Sequence, residues 1–176
     1  VRFSSDEGRT WTRPQPIAVA GMLPELARPF DPTLVPLPDG RVRLYFTSNR
    51  SPDFHRSTPQ IYSAASTNGV DYRFEPGVRF GIEGRIVIDC AVALHGGVFH
   101  LIVPDNGTAD DFMARPQRGQ QPVDLKGYHA VSEDGLSFKR VADVNLVSGR
   151  NRWLGNMLSD GGELVFRLEN HVGILA

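Results

Sequence analysis

Two aspartates begin similar apolar segments of this 176-residue chain and are the residues best suited to chemistry. Asp31 opens "DPTLVPLPDGRVRLYF", and Asp89 opens "DCAVALHGGVFHLIV". A carboxylate together with a protonated carboxyl group can serve as base or nucleophile and acid in one reaction. The alternative is that both aspartates only cap the first residue of a strand, with Pro32 fixing the backbone conformation there.

Further polar residues stand where the second apolar run of each segment ends. They form the pairs Asn49-Arg50, Asp105-Asn106 and Glu169-Asn170. Glu169 is the candidate for the acid, and a raised pKa would have to come from burial or from a neighbouring carboxylate. Arginine suits a carboxylate-bearing ligand because its planar guanidinium binds such groups through two hydrogen bonds. The predicted ligand-binding residues are Arg28, Asn49, Arg50, Asp105, Asn106 and Trp153.

A repeated pattern of strands must position these residues. Three segments share an apolar run, a tight turn and a second apolar run, with turns at Asp39-Gly40, Gly96-Gly97 and Gly161-Gly162. Such turns between alternating apolar runs are typical of β-hairpins. The expected buried faces carry Leu44 and Phe46, Phe99 and Leu101, and Leu164 and Phe166. A third strand ("QIYSAAS", "GYHAVS") and a fourth ("YRFEPGV", "FKRVADV") follow two of the hairpins, and four strands per repeat describe a propeller blade.

The predicted fold is therefore all-β, a fragment of a β-propeller with about three blades, each a four-stranded antiparallel sheet. A single incomplete domain is expected over 1–176, with a partial blade at 1–21, blades at 28–80 and 86–145, and a partial blade at 152–176. Because the chain begins with Val1 rather than Met, its natural N-terminus is expected to lie upstream. A closed ring needs at least about four blades, so missing blades or self-association would have to complete it.

Three turns of related sequence connect the third and fourth strands: "SSDEGRTW", "STNGVDY" and "SEDGLSF". A carboxylate or amide at the third position can accept bonds from the backbone of its own turn, and glycine permits a positive φ. A calcium loop is the rival interpretation, but the turns hold too few carboxylates for an ion that takes 6 to 8 oxygens. The residues with predicted structural roles are Ser4, Asp6, Gly8, Thr10, Trp11, Ser66, Asn68, Gly69, Ser132, Asp134 and Gly135.

The turn "SSDEGRTW" resembles the Asp-box (BNR) repeat of sialidases, and the shorter turns resemble those of arabinanase-like and fructosidase-like propellers. Asp31-Pro32 is similar to the Asp-Pro start of those enzymes, in which the aspartate is general base or nucleophile. The resemblance implies a glycoside hydrolase acting on carbohydrate, with a parent of five or six blades and an extracellular or periplasmic location. Asp89 would orient the substrate or tune a pKa, and Trp153 could stack on a sugar ring. A carbohydrate-binding or scaffold propeller without catalysis is the alternative.

Composition excludes several other classes of function. The formal net charge is -1, which supplies no electrostatic attraction for nucleic acid. Cys90 is the only cysteine, so neither a disulfide nor a cysteine metal cluster is predicted. No apolar run approaches the roughly 20 residues that span a bilayer, so no membrane partner is expected. The five histidines show no metal-ligand spacing, and neither a metal nor a cofactor is predicted.

Overall fold

The chain was analysed as a computed structural model, which describes residues 1–26, 29–114, 126–145, 154–168 and 171–175. In these ranges the chain is all-β, with strands in three separate sheets and one short helix. None of the described helical residues form a segment long and apolar enough to cross a bilayer.

The first sheet is an antiparallel meander with one extra strand at its outer edge. Its strands are β1 (Ala18–Ala20), β2 (Phe30–Pro36), β3 (Val42–Ser48), β4 (Gln60–Ser66) and β5 (Asp71–Phe80), in the spatial order β1-β5-β4-β3-β2. Strand β1 falls in the region assigned to a partial blade, and it pairs in parallel with β5, Ala18 opposite Asp71. This pairing satisfies part of the exposed hydrogen-bonding edge of β5.

The second and third sheets repeat the same meander. The second contains β6 (Ala91–His95), β7 (Val98–Pro104), β8 (Lys126–Ser132) and β9 (Lys139–Asn145) in sequential order. The third contains β10 (Leu154–Asp160), β11 (Glu163–Leu168) and β12 (His171–Leu175). Helix α1 (Ala109–Met113) follows β7 and is capped by Thr108, whose side chain accepts a bond from the backbone of Asp111.

The predicted hairpin turns are confirmed. His95 pairs with Val98 across Gly96-Gly97, and both glycines have positive φ, 58° and 83°. The turn at 161–162 has the same form, with Asp160 opposite Glu163. Positive φ at both central residues defines the hairpin turn whose twist matches that of the flanking strands. The sequence therefore sets the register of both hairpins locally.

Apolar side chains pack the sheets face to face in chain order. Tyr45 of β3 and Leu101 of β7 are fully buried in the core between the first and second sheets. Ile102, on the other face of β7, packs with Met157 and Phe166 between the second and third sheets. Because successive strand residues point to opposite faces, one strand contributes to two cores.

The turn at 132–138 is fastened to the first sheet through its own carbonyl groups. Arg43 and Arg79 each donate from Nη1, and Tyr45 donates from its hydroxyl, to the three consecutive carbonyls of 134–136. These bonds measure 2.7, 2.8 and 2.9 Å for Arg43, Arg79 and Tyr45 respectively. A Cβ atom on Gly135 would lie 2.4 Å from Arg43 Nη1, so only glycine fits there.

The N-terminal turn has the predicted internal hydrogen bonds. The Asp6 carboxylate accepts bonds from the Thr10 backbone at 2.9 Å, the Thr10 hydroxyl at 2.7 Å and the Ser4 hydroxyl at 2.8 Å. From the sequence we expect Trp11 to pack between blades. The structure leaves 57% of it exposed. Its indole Nε1 donates instead to the Gly8 carbonyl at 2.9 Å. The described turn is thus held together by local bonds and not by Trp11 packing between sheets.

Candidate functional site

Asp31 and Asp89 lie in direct contact at the seam between the first two sheets. Asp31 is in β2, at a register shift between Phe30 and Thr33, and Asp89 lies two residues before β6. Their side chains are hydrogen-bonded to each other, and the Asp31 carboxylate also accepts a bond from the Asp89 backbone N–H. The structure therefore brings together two aspartates that are 58 residues apart in the sequence.

Both aspartates have a backbone conformation that ordinary residues avoid. Their φ angles are 51° for Asp31 and 63° for Asp89, in the left-handed region. Non-glycine residues there cost about 1–3 kcal/mol each and persist only where the surroundings hold them. Aspartate tolerates the region better than most residues because its short side chain can bond locally. Such strain concentrates at functional sites.

The contact between the two carboxyl groups changes their protonation. Burial raises the pKa of Asp31, although its bonds from Asp89 act in the opposite direction. Burial, followed by the charge and hydrogen bond of Asp31, raises the pKa of Asp89 to about 7. Two carboxylates in contact cannot both be ionised at low cost, so they share one proton. Because the pKa of Asp89 is raised to about 7, we assign the shared proton to Asp89 just below that pH.

A hydrogen bond holds the backbone next to the two aspartates, and one carboxyl oxygen of Asp89 has no partner among the described residues. The Thr33 hydroxyl donates to the Cys90 carbonyl at 2.6 Å, which joins the strand start beside Asp31 to the residue after Asp89. Asp89 Oδ2 is buried and has no hydrogen-bond partner among the described residues. An unsatisfied buried oxygen is costly and needs either a proton of its own or a ligand.

Aromatic side chains from two loops pack together beside this pair. Phe54 and Phe112 lie with their ring centroids 5.5 Å apart, and both pack, together with Phe30, against a buried cluster that contains Ile88. Phe30 and Ile88 directly precede the two aspartates in sequence. The loop after β3 and helix α1 after β7 therefore meet at the same end of the sheets as the acid pair. Phe54 is part of this loop contact as well as a candidate for contact with a ligand.

The predicted ligand-binding residues differ in burial and in hydrogen-bond partners. Asn49 is buried and donates to the Ser51 carbonyl, so its side chain supports its own loop. Arg50 is exposed, with its backbone N–H bonded to the Ser57 hydroxyl at 3.0 Å. Asn106 is partly buried, and its Nδ2 has no partner among the described residues. The predicted site residues Arg28, Trp153 and Glu169 lie outside the described residues.

Asp105 is occupied by protein groups and has little capacity left for a ligand. It is 7% exposed and accepts bonds from Arg85 Nη2 at 2.6 Å, the Tyr128 hydroxyl at 2.5 Å and the Gly107 backbone at 2.9 Å. Burial alone would raise its pKa, but these bonds and the Arg85 charge hold the pKa below its usual value. Asp105 is therefore an ionised structural group.

Two histidines that looked unrelated in the sequence also meet. His100 Nδ1 and His129 Nε2 are 3.0 Å apart, on neighbouring strands of the second sheet. Their ring planes are nearly parallel, 16° apart, and a hydrogen bond between the two nitrogens requires that one is protonated and the other is not. In the described ranges no group of three or more His, Cys, Asp or Glu side chains could hold a metal ion.

One groove on the described surface lies away from the acid pair. It has a volume of about 610 Å³ and is lined by Arg41, Ser66, Tyr72 and Arg79, among others. Ser66 ends β4, whereas Asp31 lies across the sheet from the start of β4, which is the opposite end. The groove therefore has no part in the chemistry of the two aspartates.

No protein-family model matches the chain, and no curated protein sequence matches it either. Solved structures do resemble it. A family 117 glycoside hydrolase from the marine bacterium Zobellia galactanivorans superposes with a TM-score of 0.59 at 13% identity, over 85% of this chain and 51% of that one. A GH32 β-fructofuranosidase from Bombyx mori gives 0.55 at 13% identity, over 80% of this chain and 29% of that one. The chain shares the fold of glycoside hydrolases.

A Hadza microbial sialidase shows the same likeness, with a TM-score of 0.55, 17% identity, and coverage of 82% of this chain and 34% of that one. This chain therefore spans about half or less of the length of these three structures. At such low identity the likeness concerns the fold alone. The Asp-box resemblance has no support from sequence comparison.

Proposed function

We propose that the three sheets are consecutive blades of an incomplete β-propeller and that this part of the protein hydrolyses glycosidic bonds. The observation that carries the proposal is the proton-sharing pair of Asp31 and Asp89 at the starts of the inner strands of neighbouring sheets. Strained backbone at both residues supports a chemical role over simple strand capping. The likeness to glycoside hydrolases at the level of fold agrees with this proposal.

The contact between the two carboxyl groups restricts how they can work. The acid and base of a glycosidase flank the bond to be cleaved and stand about 5–10 Å apart. Two hydrogen-bonded carboxyl groups are much closer than that, so Asp31 and Asp89 are not the opposing acid and base. They act on the same side of the substrate, and the acid must be a third group.

In the proposed mechanism Asp31 is the ionised base or nucleophile. It either takes a proton from a water molecule that attacks the anomeric carbon, or it attacks that carbon itself and is later displaced from it by water, which gives a proton back to the acid residue. The bond to the leaving oxygen breaks, and this oxygen receives a proton from the acid. Glu169 remains the candidate for the acid on sequence grounds. Asp89 holds its proton and stabilises the charge on Asp31.

Further parts of the proposal follow from the same interpretation. The parent ring would have five or six blades, closed by further blades or by a second copy of the chain. The ligand is a carbohydrate, and the candidates to contact it are Arg50 and Asn106, with Arg28 and Trp153 retained from the sequence. Phe54 and Phe112 would form an apolar wall beside the sugar.

Carbohydrate binding without hydrolysis is the second candidate function. It is favoured by the start of the third inner strand, where Leu154, Gly155 and Asn156 stand in place of a further acid. Asn156 Oδ1 accepts a bond from the Met157 backbone at 2.8 Å, so this amide has a local structural partner. A propeller fold alone does not decide between the two functions.

The test is hydrolysis of a panel of aryl glycosides that includes furanosides, galactosides and sialosides. We expect release of the aryl group by the wild-type chain and a loss of about 100-fold to 10,000-fold in Asp31→Asn, which removes the base. Asp39→Asn is the matched control, because Asp39 lies in a hairpin turn and pairs with Arg41. Hydrolysis that survives in Asp31→Asn contradicts the proposed mechanism. Binding of a glycan without turnover supports the second candidate.

A further inference from the structure

The segment that leads to Asp89 is pinned to the end of β7 by a buried polar cluster. This cluster, called the Asp105 anchor here, consists of Asp105, Arg85, Tyr128 and the Gly107 backbone. Arg85 donates to Asp105 from Nε at 3.0 Å and from Nη2 at 2.6 Å, which is a two-point ion pair. The Tyr128 hydroxyl adds a bond at 2.5 Å, and the Gly107 N–H adds one at 2.9 Å. Charged hydrogen bonds of this kind hold their partners in one orientation.

Backbone bonds extend the anchor along the chain toward Asp89. Ile86 donates to the Gly107 carbonyl at 2.8 Å, and Asn106 donates to the Ile86 carbonyl at 2.9 Å. Val87 forms an isolated antiparallel bridge with Asp105. Residues 85–87 therefore run beside 105–107 as a short ladder, although they belong to no named strand. Ile86 and Val87 have no exposed surface, so the ladder is also packed from both sides.

Asp89 follows this ladder after a single intervening residue and must then adopt its left-handed φ of 63°. A strained residue keeps its conformation only if the chain is fixed on both sides of it. On the far side, the Thr33 hydroxyl holds the Cys90 carbonyl. On the near side, the fixed point is the Asp105 anchor. Among the described residues, the titratable group that faces Asp89 is Asp31, with the Cys90 thiol adjacent in sequence.

We propose that Asp105 is a positioning residue for Asp89: it holds residues 85–87 through Arg85 and Tyr128, and thereby holds the Asp89 carboxyl group against Asp31. Asp105 itself touches neither a substrate nor the reacting atoms. Only the catalytic importance of Asp89 rests on the proposed function. The Asp105 anchor and the contact between Asp31 and Asp89 are present in the protein without a substrate.

The experiment is a carbon-detected NMR titration of the Asp89 side-chain carboxyl group in the full chain, without substrate, for the wild type and for Asp105→Asn. The amide keeps the shape of Asp105 but loses the ion pair with Arg85. We expect the apparent pKa of Asp89 to fall toward that of a free aspartate by about 0.5 pH unit or more, which is about a threefold change in its proton equilibrium constant. Asp143→Asn is the matched control, because it removes an exposed ion pair with Arg140 in the same sheet.

An Asp89 titration that is unchanged in folded Asp105→Asn, or that shifts equally in Asp143→Asn, overturns the proposal. If Asp105→Asn does not fold, Tyr128→Phe decides, because it removes one hydrogen bond and leaves the Arg85 ion pair in place. It should shift the Asp89 titration in the same direction by a smaller amount, and an unchanged titration counts against the anchor. Failure of the wild-type chain to hydrolyse any glycoside would refute the proposed function. The NMR titration of Asp89 would still test the positioning role of Asp105.

Discussion

Replacement of Asp89 by asparagine should stabilise the protein, and the gain should grow as the pH rises. Asparagine tolerates the left-handed φ of 63° as well as aspartate does, so the backbone at this position can stay as it is. Its amide can donate a hydrogen bond to Asp31, as the protonated Asp89 carboxyl group does. The variant therefore keeps the bond and removes the proton equilibrium.

The direction in which stability changes with pH follows from the raised pKa of Asp89. The folded protein keeps the proton up to about pH 7, whereas the unfolded chain releases it near the ordinary value of 3.8. Between these values the folded state binds more protons, so the wild type loses stability with rising pH until about pH 7. This interval corresponds to about 4 kcal/mol at 1.36 kcal/mol per pH unit, and screening by solvent at a half-exposed group reduces it to about 1–2 kcal/mol.

The assay is urea unfolding of the wild type and Asp89→Asn at several pH values from 4.5 to 8.5. We expect equal free energies of unfolding near pH 4.5 and an advantage of about 1–2 kcal/mol for the variant above pH 7. Asp39→Asn serves as the control, because Asp39 is exposed and its pKa is lowered by Arg41. A difference between wild type and Asp89→Asn that stays constant across the whole range would refute the shared proton.

Two further predictions concern other contacts. Gly135→Ala should lower the free energy of unfolding by about 2–4 kcal/mol, because its Cβ atom would clash with Arg43 at a φ of 69°. Gly161→Ala, with open space around it, should lower it by about 1 kcal/mol. Equal losses of the two variants in urea unfolding would contradict this. Burial lowers the pKa of both His100 and His129 below 6.5, so the unfolded chain binds more protons there and stability should fall as the pH drops through about 6.5. His100→Gln should reduce the loss of stability between pH 7 and 5, and an unchanged loss in urea unfolding would argue against the pair.

The strands and hairpins could be predicted because their signals are local. Alternation of apolar residues and glycine pairs such as Gly96-Gly97 act over a few residues, and the structure confirms the turns that they predict. The proximity of Asp31 and Asp89 followed from placing equivalent strands side by side. Their direct contact could not be predicted. It depends on the bulge in β2 and on positive φ angles at both aspartates, and the sequence indicates neither feature.

The hydrogen-bond partners of Asp105 could not be predicted from the sequence. The sequence predicts a ligand contact there because the residue is polar and stands where an apolar run ends. The structure shows that Arg85, 20 residues earlier, and Tyr128, 23 residues later, occupy it. The His100–His129 pair was missed for the same reason, since the contact depends on the register between β7 and β8. Contacts across strands need that register, which the linear pattern does not specify.

Titration of the Asp89 carboxyl group by NMR, in the wild type and in Asp31→Asn, tests whether Asp31 and Asp89 share one proton. If they do, Asp89 has an apparent pKa of about 7 in the wild type and a clearly lower pKa once the charge of Asp31 is gone. If Asp89 titrates near 3.8 in the wild type, or identically in both proteins, the two carboxyl groups titrate independently and do not share a proton.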